Sequence, residues 1–119
     1  MATYDYKNLD VWKRSMDLVE HVYEITKALP KEETYALTDQ LKRAAVSIPS
    51  NIAEGQKRSG TKETIQFSYI ALGSTAEVET QLIIISRLYK IDVRSLLDEC
   101  EIISRMLTAL TKSLKSRLI

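Results

Sequence analysis

An apolar row at helical spacing runs past a proline without losing phase, and no other feature restricts the fold of this chain as much. Leu37, Leu41, Ala44, Ile48 and Ile52 recur every three or four residues, so a helix places them on one face. Pro49 follows Ile48 directly. A proline inside a helix deletes one backbone hydrogen bond and crowds the carbonyl four residues earlier, here that of Ala45, at about 3 kcal/mol. Ser47 and Ser50 flank it and offer hydroxyls to the freed carbonyls. Two readings follow. One is a single long helix kinked at Pro49 and sustained by tertiary packing. The other is two helices broken at Ile48, because residues before proline avoid the α region. The unbroken phase favours the kinked helix.

The rest of the chain shows the same period. Residues 1–7 read as a loose N-terminal arm from which Tyr4 and Tyr6 can reach the body. Asn8 is the expected N-cap of a first helix. In that helix Leu9, Trp12, Met16, Val19, Tyr23 and Thr26 form a heptad seam, with Leu18, Val22, Ile25 and Leu29 as a second row beside it. Leu29-Pro30 ends it. Glu32 and Glu33 suit the positive start of the second helix, which runs to about Lys57, with Gly55 and Gly60 bracketing its exit. Thr61 is the expected cap of a third helix carrying Phe67, Ala71, Ser74, Val78, Leu82, Ile85 and Tyr89 on one side. Gly73 in its middle costs about 1 kcal/mol against alanine, which predicts close approach of another helix. Asp92 then caps a fourth helix with the seam Val93, Leu96, Cys100, Ile103, Leu107, Leu110 and Leu114, and Ile102, Met106 and Ala109 as a second row.

With only 3 Gly and 2 Pro in 119 residues there is little material for β-turns. Helices of roughly 20 to 28 residues, about 30 to 42 Å long, are joined by short connections. Short connections make consecutive helices antiparallel, so the expected fold is all-α, a single antiparallel up-down-up-down four-helix bundle over residues 1–119. The extra apolar rows on the first and fourth helices predict a homo-oligomer, since a lone bundle needs one broad face per helix.

The run Gln40-Leu41-Lys42-Arg43-Ala44-Ala45-Val46-Ser47-Ile48-Pro49-Ser50-Asn51-Ile52-Ala53-Glu54-Gly55 resembles the signature of the small bacterial four helix bundle proteins, also called the 23S rRNA intervening-sequence protein family. Ile70-Ala71-Leu72-Gly73-Ser74-Thr75-Ala76-Glu77 resembles the family's second motif. Leu9-Asp10-Val11-Trp12 and Leu29-Pro30-Lys31-Glu32-Glu33 resemble its opening and first connection. The resemblance implies an antiparallel four-helix bundle assembled as a ring, usually a pentamer, and implies no reaction. A related group, the accessory proteins of diversity-generating retroelements, works with a reverse transcriptase and binds nucleic acid.

Composition narrows the chemistry. Hydrophobic residues at 45% and charged residues at 28% are those of a folded globular domain. A formal net charge of +1 gives the whole molecule no strong pull toward nucleic acid or anionic membrane. The N-terminus lacks the apolar core of a signal peptide, and no apolar run spans a bilayer, so a cytoplasmic protein without membrane contact is expected. The single Cys100 cannot form an internal disulfide, and a buried thiol is the expected role. His21 is the one histidine. The residue three before it is Leu18, so the Glu-x-x-His motif of bundle di-metal sites is missing. No metal site, no cofactor, no catalytic residue and no enzyme activity are expected.

Two groups of polar residues remain. Arg43, Ser47, Asn51, Glu54 and Arg58 share a face of the second helix, and Ser74 and Glu77 can join them from the third. That stripe reads either as a structural polar network around the proline or as a ligand surface; the structural reading is favoured. Lys57, Arg58 and Lys62 surround the second connection, and Lys112, Lys115 and Arg117 lie at the end of the fourth helix. An up-down bundle brings both clusters to one pole. They read either as solvated helix ends complementing the C-terminal dipoles or as contacts for RNA or DNA. No aromatic residue is interleaved within either cluster, which weakens a stacking mode of single-strand binding. The function expected is a non-catalytic oligomeric scaffold that contacts nucleic acid. The alternative is an assembly module that docks a partner protein.

Overall fold

Every α-helix of the protein follows an apolar row of the sequence, but their starts, and the face that α1 buries, differ from what the row alone suggests. A computed structural model describes residues 5–118, so the expectation for Tyr4 and the rest of residues 1–4 lies outside the described residues. The α-helices are α1 (Asp10–Thr26), α2 (Leu37–Lys57), α3 (Thr61–Tyr89) and α4 (Arg94–Lys115), with short 3-10 turns at Tyr6–Asn8, Lys31–Glu33 and Ser116–Leu118. No strand occurs among the described residues.

Contacts along each seam set the direction of the helices. Between α2 and α3, Gln40 meets Gln81, Ser47 meets Ser74, and the Gly55 carbonyl accepts a bond from Thr64. Positions rise along one helix as they fall along the other, so the pair is antiparallel. Lys42 lies over Tyr23 while Ala53 shares a groove with Trp12, which orients α1 against α2 in the same way. His21 bonds Glu99 while Lys13 shares a cleft with Met106, so α1 and α4 are also opposed. Lys115 reaches Tyr69 across α3 and α4. Each helix packs on its two chain neighbours, α4 closes back on α1, and the molecule measures 49 × 21 × 20 Å. Leu18, Val22, Leu41, Ile48, Val78, Leu82, Ile85, Ile103 and Leu107 are fully buried along the axis.

The core line of α1 differs from the seam expected from the sequence and draws on both of its apolar rows. The core line is Val11, Ser15, Leu18, Val22 and Thr26. Ser15 and Thr26 enter it because their hydroxyls donate to the carbonyls of Val11 and Tyr23, at 2.7 and 2.8 Å, which removes the cost of burying them. Of the row expected as the seam, Thr26 is in the core and Leu9, Trp12 and Val19 are half-buried against it, while Met16 and Tyr23 face outward, 39% and 44% exposed. On α4 the seam shifts in the same manner at one point. Thr111, donating to Leu107, is buried where Leu110 was expected, and Leu110 is half-buried.

Pro49 lies inside a continuous α2. The neighbouring carbonyls gain side-chain donors: Ser50 donates to Val46 and Asn51 to Ser47, each at 2.8 Å. Ser47 does not serve a carbonyl as expected, because its hydroxyl bonds Ser74 instead.

Helix starts differ from the sequence expectation. Asn8 belongs to a 3-10 turn capped by Asp5, and α1 begins at Asp10. Tyr6 in that turn meets Trp12 edge to face at 5.5 Å, which ties this part of the arm to the body. Glu32 and Glu33 also form a 3-10 turn, and α2 starts only at Leu37. The Tyr89 hydroxyl donates to Glu33, so that carboxylate secures the first connection to the end of α3 rather than a helix start. Thr61 is the first helical residue after Gly60 and caps nothing. Asp92 stands one residue before the cap position, yet its carboxylate accepts the Arg94 backbone N–H at 3.1 Å and does a cap's work.

Lys90 ends α3 in the left-handed region, with φ 57° and ψ 33°. Its Cβ opposes that conformation by about 1 kcal/mol, and glycine has none. Lys90→Gly is expected to raise stability by up to about 1 kcal/mol, read as a higher urea midpoint at unchanged slope. A lower midpoint would contradict this account of the turn.

Candidate nucleic-acid interface

The connection from α2 to α3 is three residues long, so Lys57, Arg58 and Lys62 gather where α2 ends and α3 begins. The end of α4 comes to the same pole. Lys115 Nζ lies 5.0 Å from the Tyr69 ring of α3, and the turn Ser116–Leu118 packs on α3. The two basic clusters, some fifty residues apart in sequence, thus share one end of the bundle. All six side chains are exposed.

Their pairing separates them. Arg58 is engaged within the fold: its guanidinium is 3.5 Å from Glu54, 4.0 Å from Glu63 and 4.9 Å from the centre of the Phe67 ring. Lys57, Lys62, Lys112, Lys115 and Arg117 make no ion pair among the described residues. At the opposite pole Lys27 pairs with Glu24 at 3.0 Å, Arg94 with Asp92 at 2.9 Å and His21 with Glu99 at 2.8 Å, while Lys31, Arg87 and Lys90 make no ion pair among the described residues. Cations at the ends of α2 and α4 complement those helices' partial negative charge, but Lys62 stands at the start of α3, where the dipole opposes it.

Aromatic rings enter the pole from α3, where the sequence reading found none within the clusters. Phe67 lies under Arg58 and Tyr69 under Lys115. They arrive by helix packing and sit several positions from either basic run, so spacing along the chain gave no signal of them.

The polar stripe forms part of the α2–α3 seam. Ser47 and Ser74 share a hydrogen bond of 2.8 Å, and Asn51 donates to the Ser47 hydroxyl at 2.9 Å. Arg43 stands apart from them, bonded to Asp39 at 3.0 Å, and Glu54 belongs with Arg58. Glu77 accepts from Gln81 at 3.4 Å. Gln81 was not singled out in the sequence, yet it is 6% exposed, also donates to Gln40, and has an unpartnered buried Oε1. Beside Glu77 on a polar flank it resembles an ordinary surface residue until α2 covers it. The Ser47–Ser74 and Gln40–Gln81 bonds stitch two helices together, and Arg43 and Ser47 also border an open groove with Tyr23, Asp39, Lys42 and Val46.

The remaining reactive groups are apart. Cys100 is fully buried, and burial together with Glu79 and Glu99 pushes its thiol up to about 12. His21 Nδ1 is held by both carboxylate oxygens of Glu99, at 2.8 and 2.9 Å. Among the described residues no three His, Cys, Asp or Glu side chains are grouped to hold a metal, and no helix is long and apolar enough to cross a membrane.

A family model described as 23S rRNA-intervening sequence protein matches residues 7–109. None of the curated proteins matches the chain. Among solved structures the chain is similar to a protein with unknown function from the S23 ribosomal protein family of Bacteroides thetaiotaomicron. The two are 24% identical, the match covers 86% of this chain and 98% of the other, and the TM-score is 0.79. At that identity the likeness bears on the fold.

Proposed function

The chain belongs to the 23S rRNA-intervening sequence protein family, and from that premise we propose that it is a non-catalytic, homo-oligomeric helical scaffold whose basic pole contacts the phosphate backbone of RNA or DNA. The observation that carries this reading is the set of five exposed cations at one end of the bundle, from the α2–α3 connection and from the end of α4, that make no ion pair among the described residues. Phosphate binding is an electrostatic act, and unpaired cations contribute to it most. The exposed apolar rows support an assembly. A ring of five, as the family resemblance implies, presents its basic poles together, and such repetition raises the affinity of individually weak sites. The non-catalytic part of the reading is supported by the buried thiol and by the lone histidine bound to Glu99.

Fluorescence anisotropy with labelled RNA and DNA tests it. Binding is expected at low salt, with weak sequence preference and a steep fall as salt rises. Lys57→Glu, Lys62→Glu and Lys112→Glu together are expected to weaken it roughly tenfold or more, with helix content and particle mass unchanged. Arg58 stays in place, because its loss would unpair Glu54 and uncover Phe67. Absence of binding by the wild type at low salt, or undiminished binding by the variant, would overturn the nucleic-acid reading in favour of a protein-docking module.

A further inference from the structure

One of the two aromatic rings that helix packing brings to the basic pole stands in the open. Tyr69 is 46% exposed, and Lys115 Nζ from α4 lies 5.0 Å from the centre of its ring. The other ring is used within the fold: Phe67 is half-buried, packed against Gly55 and covered by Arg58. Lys62, Gln66, Tyr69 and Gly73 follow one another at steps of four, three and four, so they share one face of α3, and all four are exposed. That stripe is about 16 Å long. Lys112 is exposed one turn before Lys115 on α4. Because α3 and α4 run opposed, that turn carries it from Tyr69 toward the height of Gly73. A mid-helix glycine is unfavourable against alanine, and close approach of another helix was the expected reason for Gly73. The fold contradicts it: a Cβ built on Gly73 meets nothing within 4 Å.

We propose that the Tyr69 stripe takes an unpaired nucleotide of a nucleic-acid strand, its base stacked on Tyr69 and its phosphates held by Lys112 and Lys115. The inference rests on the phosphate-contact reading above and adds the class of nucleic acid, a single strand rather than a duplex. A paired base inside a duplex has both faces covered by its neighbours in the stack. An exposed ring among cations therefore finds a partner only in an unpaired base. Lys115 does not compete for the ring. It is exposed and makes no ion pair among the described residues, and a cation–π contact at such a site is weak. Its ammonium moves from the ring to the phosphate of the nucleotide that stacks there. Ring and ammonium are the two groups that one nucleotide needs, a flat face for the base and a charge for the phosphate. Gly73, one turn beyond Tyr69, leaves the helix backbone bare, so a strand approaches it more closely than a side chain would allow. Gln66, one turn before Tyr69, offers an amide donor and acceptor to the edge of the base. Glu63, the acid next to Lys62, is 4.0 Å from Arg58, so its charge is countered.

Fluorescence anisotropy at low salt tests the assignment with two probes, a short labelled oligouridylate and the same strand paired to its oligoadenylate complement. The wild type is expected to bind the single strand more tightly than the duplex. Tyr69→Leu keeps an apolar side chain at a half-exposed position, so its helical circular dichroism is expected to match the wild type. It is expected to weaken binding of the single strand roughly 5- to 150-fold, the loss of one stacked base. Duplex binding is expected to stay within about twofold, and the slope of affinity against salt to stay unchanged, because the ring carries no charge. Tyr69→Phe keeps the ring and is expected to retain wild-type binding of the single strand. A wild type that prefers the duplex, equal loss on both probes, no loss in Tyr69→Leu, or Tyr69→Phe as weak as Tyr69→Leu would overturn the stacking site and leave the phosphate-contact reading intact. No binding of either probe by the wild type would overturn that reading itself. If Tyr69→Leu loses helix, a strand carrying 5-iodouridine decides. Irradiated with the wild type, it is expected to crosslink to Tyr69, and a crosslink to other residues alone, or none, would overturn the site.

Discussion

Cys100 is expected to react with an alkylating reagent at about pH 8 at least roughly a thousandfold more slowly in the folded protein than a free thiol does. The thiolate is the nucleophile, and here burial, reinforced by Glu79 and Glu99, pushes the thiol up to about 12 from a reference of 9.0. That displacement alone lowers the thiolate fraction by about three decades at neutral to mildly basic pH, and the complete burial of the side chain adds a steric barrier. Modification then proceeds only through opened molecules, so its rate reports the stability of the bundle. The same displacement has a sign in alkali. The folded state keeps the proton that the unfolded chain releases near pH 9, so this contribution is fully present below that pH and is lost as pH rises through about 12. Comparing urea midpoints of the wild type and Cys100→Ala at increasing alkalinity isolates it: the wild type should lose more. Rapid alkylation of native protein would show that the α4 seam is not closed as described.

The second large effect is expected at Gly55. Gly55→Ala should destabilise the bundle by about 1 to 3 kcal/mol, or roughly 5- to 150-fold in the folding equilibrium. A Cβ built there comes within 2.8 Å of Phe67 Cβ and 3.4 Å of the Thr64 carbonyl oxygen. Phe67 Cβ is fixed to the backbone of α3 and cannot swing aside, so α2 and α3 must part. Parting them weakens the 2.9 Å bond from Thr64 to the Gly55 carbonyl and loosens Phe67 from beneath Arg58. The gain in helix propensity is smaller than usual because Gly55 lies in the last turn of α2. Gly73→Ala should do the opposite to the isolated chain, raising its stability by up to about 1 kcal/mol, since its Cβ occupies open space. The contrast is best measured by urea unfolding of the two variants and the wild type at one protein concentration. Equal effects at the two glycines would refute the packing described for the α2–α3 crossing.

These glycines mark the boundary between what was legible in the chain and what was not. Gly55 lies at the helix exit as expected but is also the site of tight crossing, and Gly73, expected at a crossing, faces outward. A glycine records only that a side chain is absent. Which neighbour uses that absence depends on a helix distant in sequence. The same holds for the basic pole. Its six cations and their placement at helix ends were readable, because they follow from short connections and helix direction. That Arg58 is spent on Glu54, Glu63 and Phe67, while the others make no ion pair among the described residues, was not readable.

The sequence by itself determined the number of α-helices, their order, the continuity of α2 through Pro49 and most of the core lines of α2, α3 and α4. Each of these is a property of spacing along one helix, where residues three and four apart must share a face. Only the tertiary structure decided which way α1 turns, and with it that Leu18 and Val22 are buried while Met16 and Tyr23 face outward. Both rows of α1 have the helical period and similar apolarity, so the period cannot choose between them. The choice falls to the neighbours: α2 and α4 leave room for the narrow line of Val11, Ser15 and Leu18, and the back-bonded hydroxyl of Ser15 removes the one polar objection to burying it.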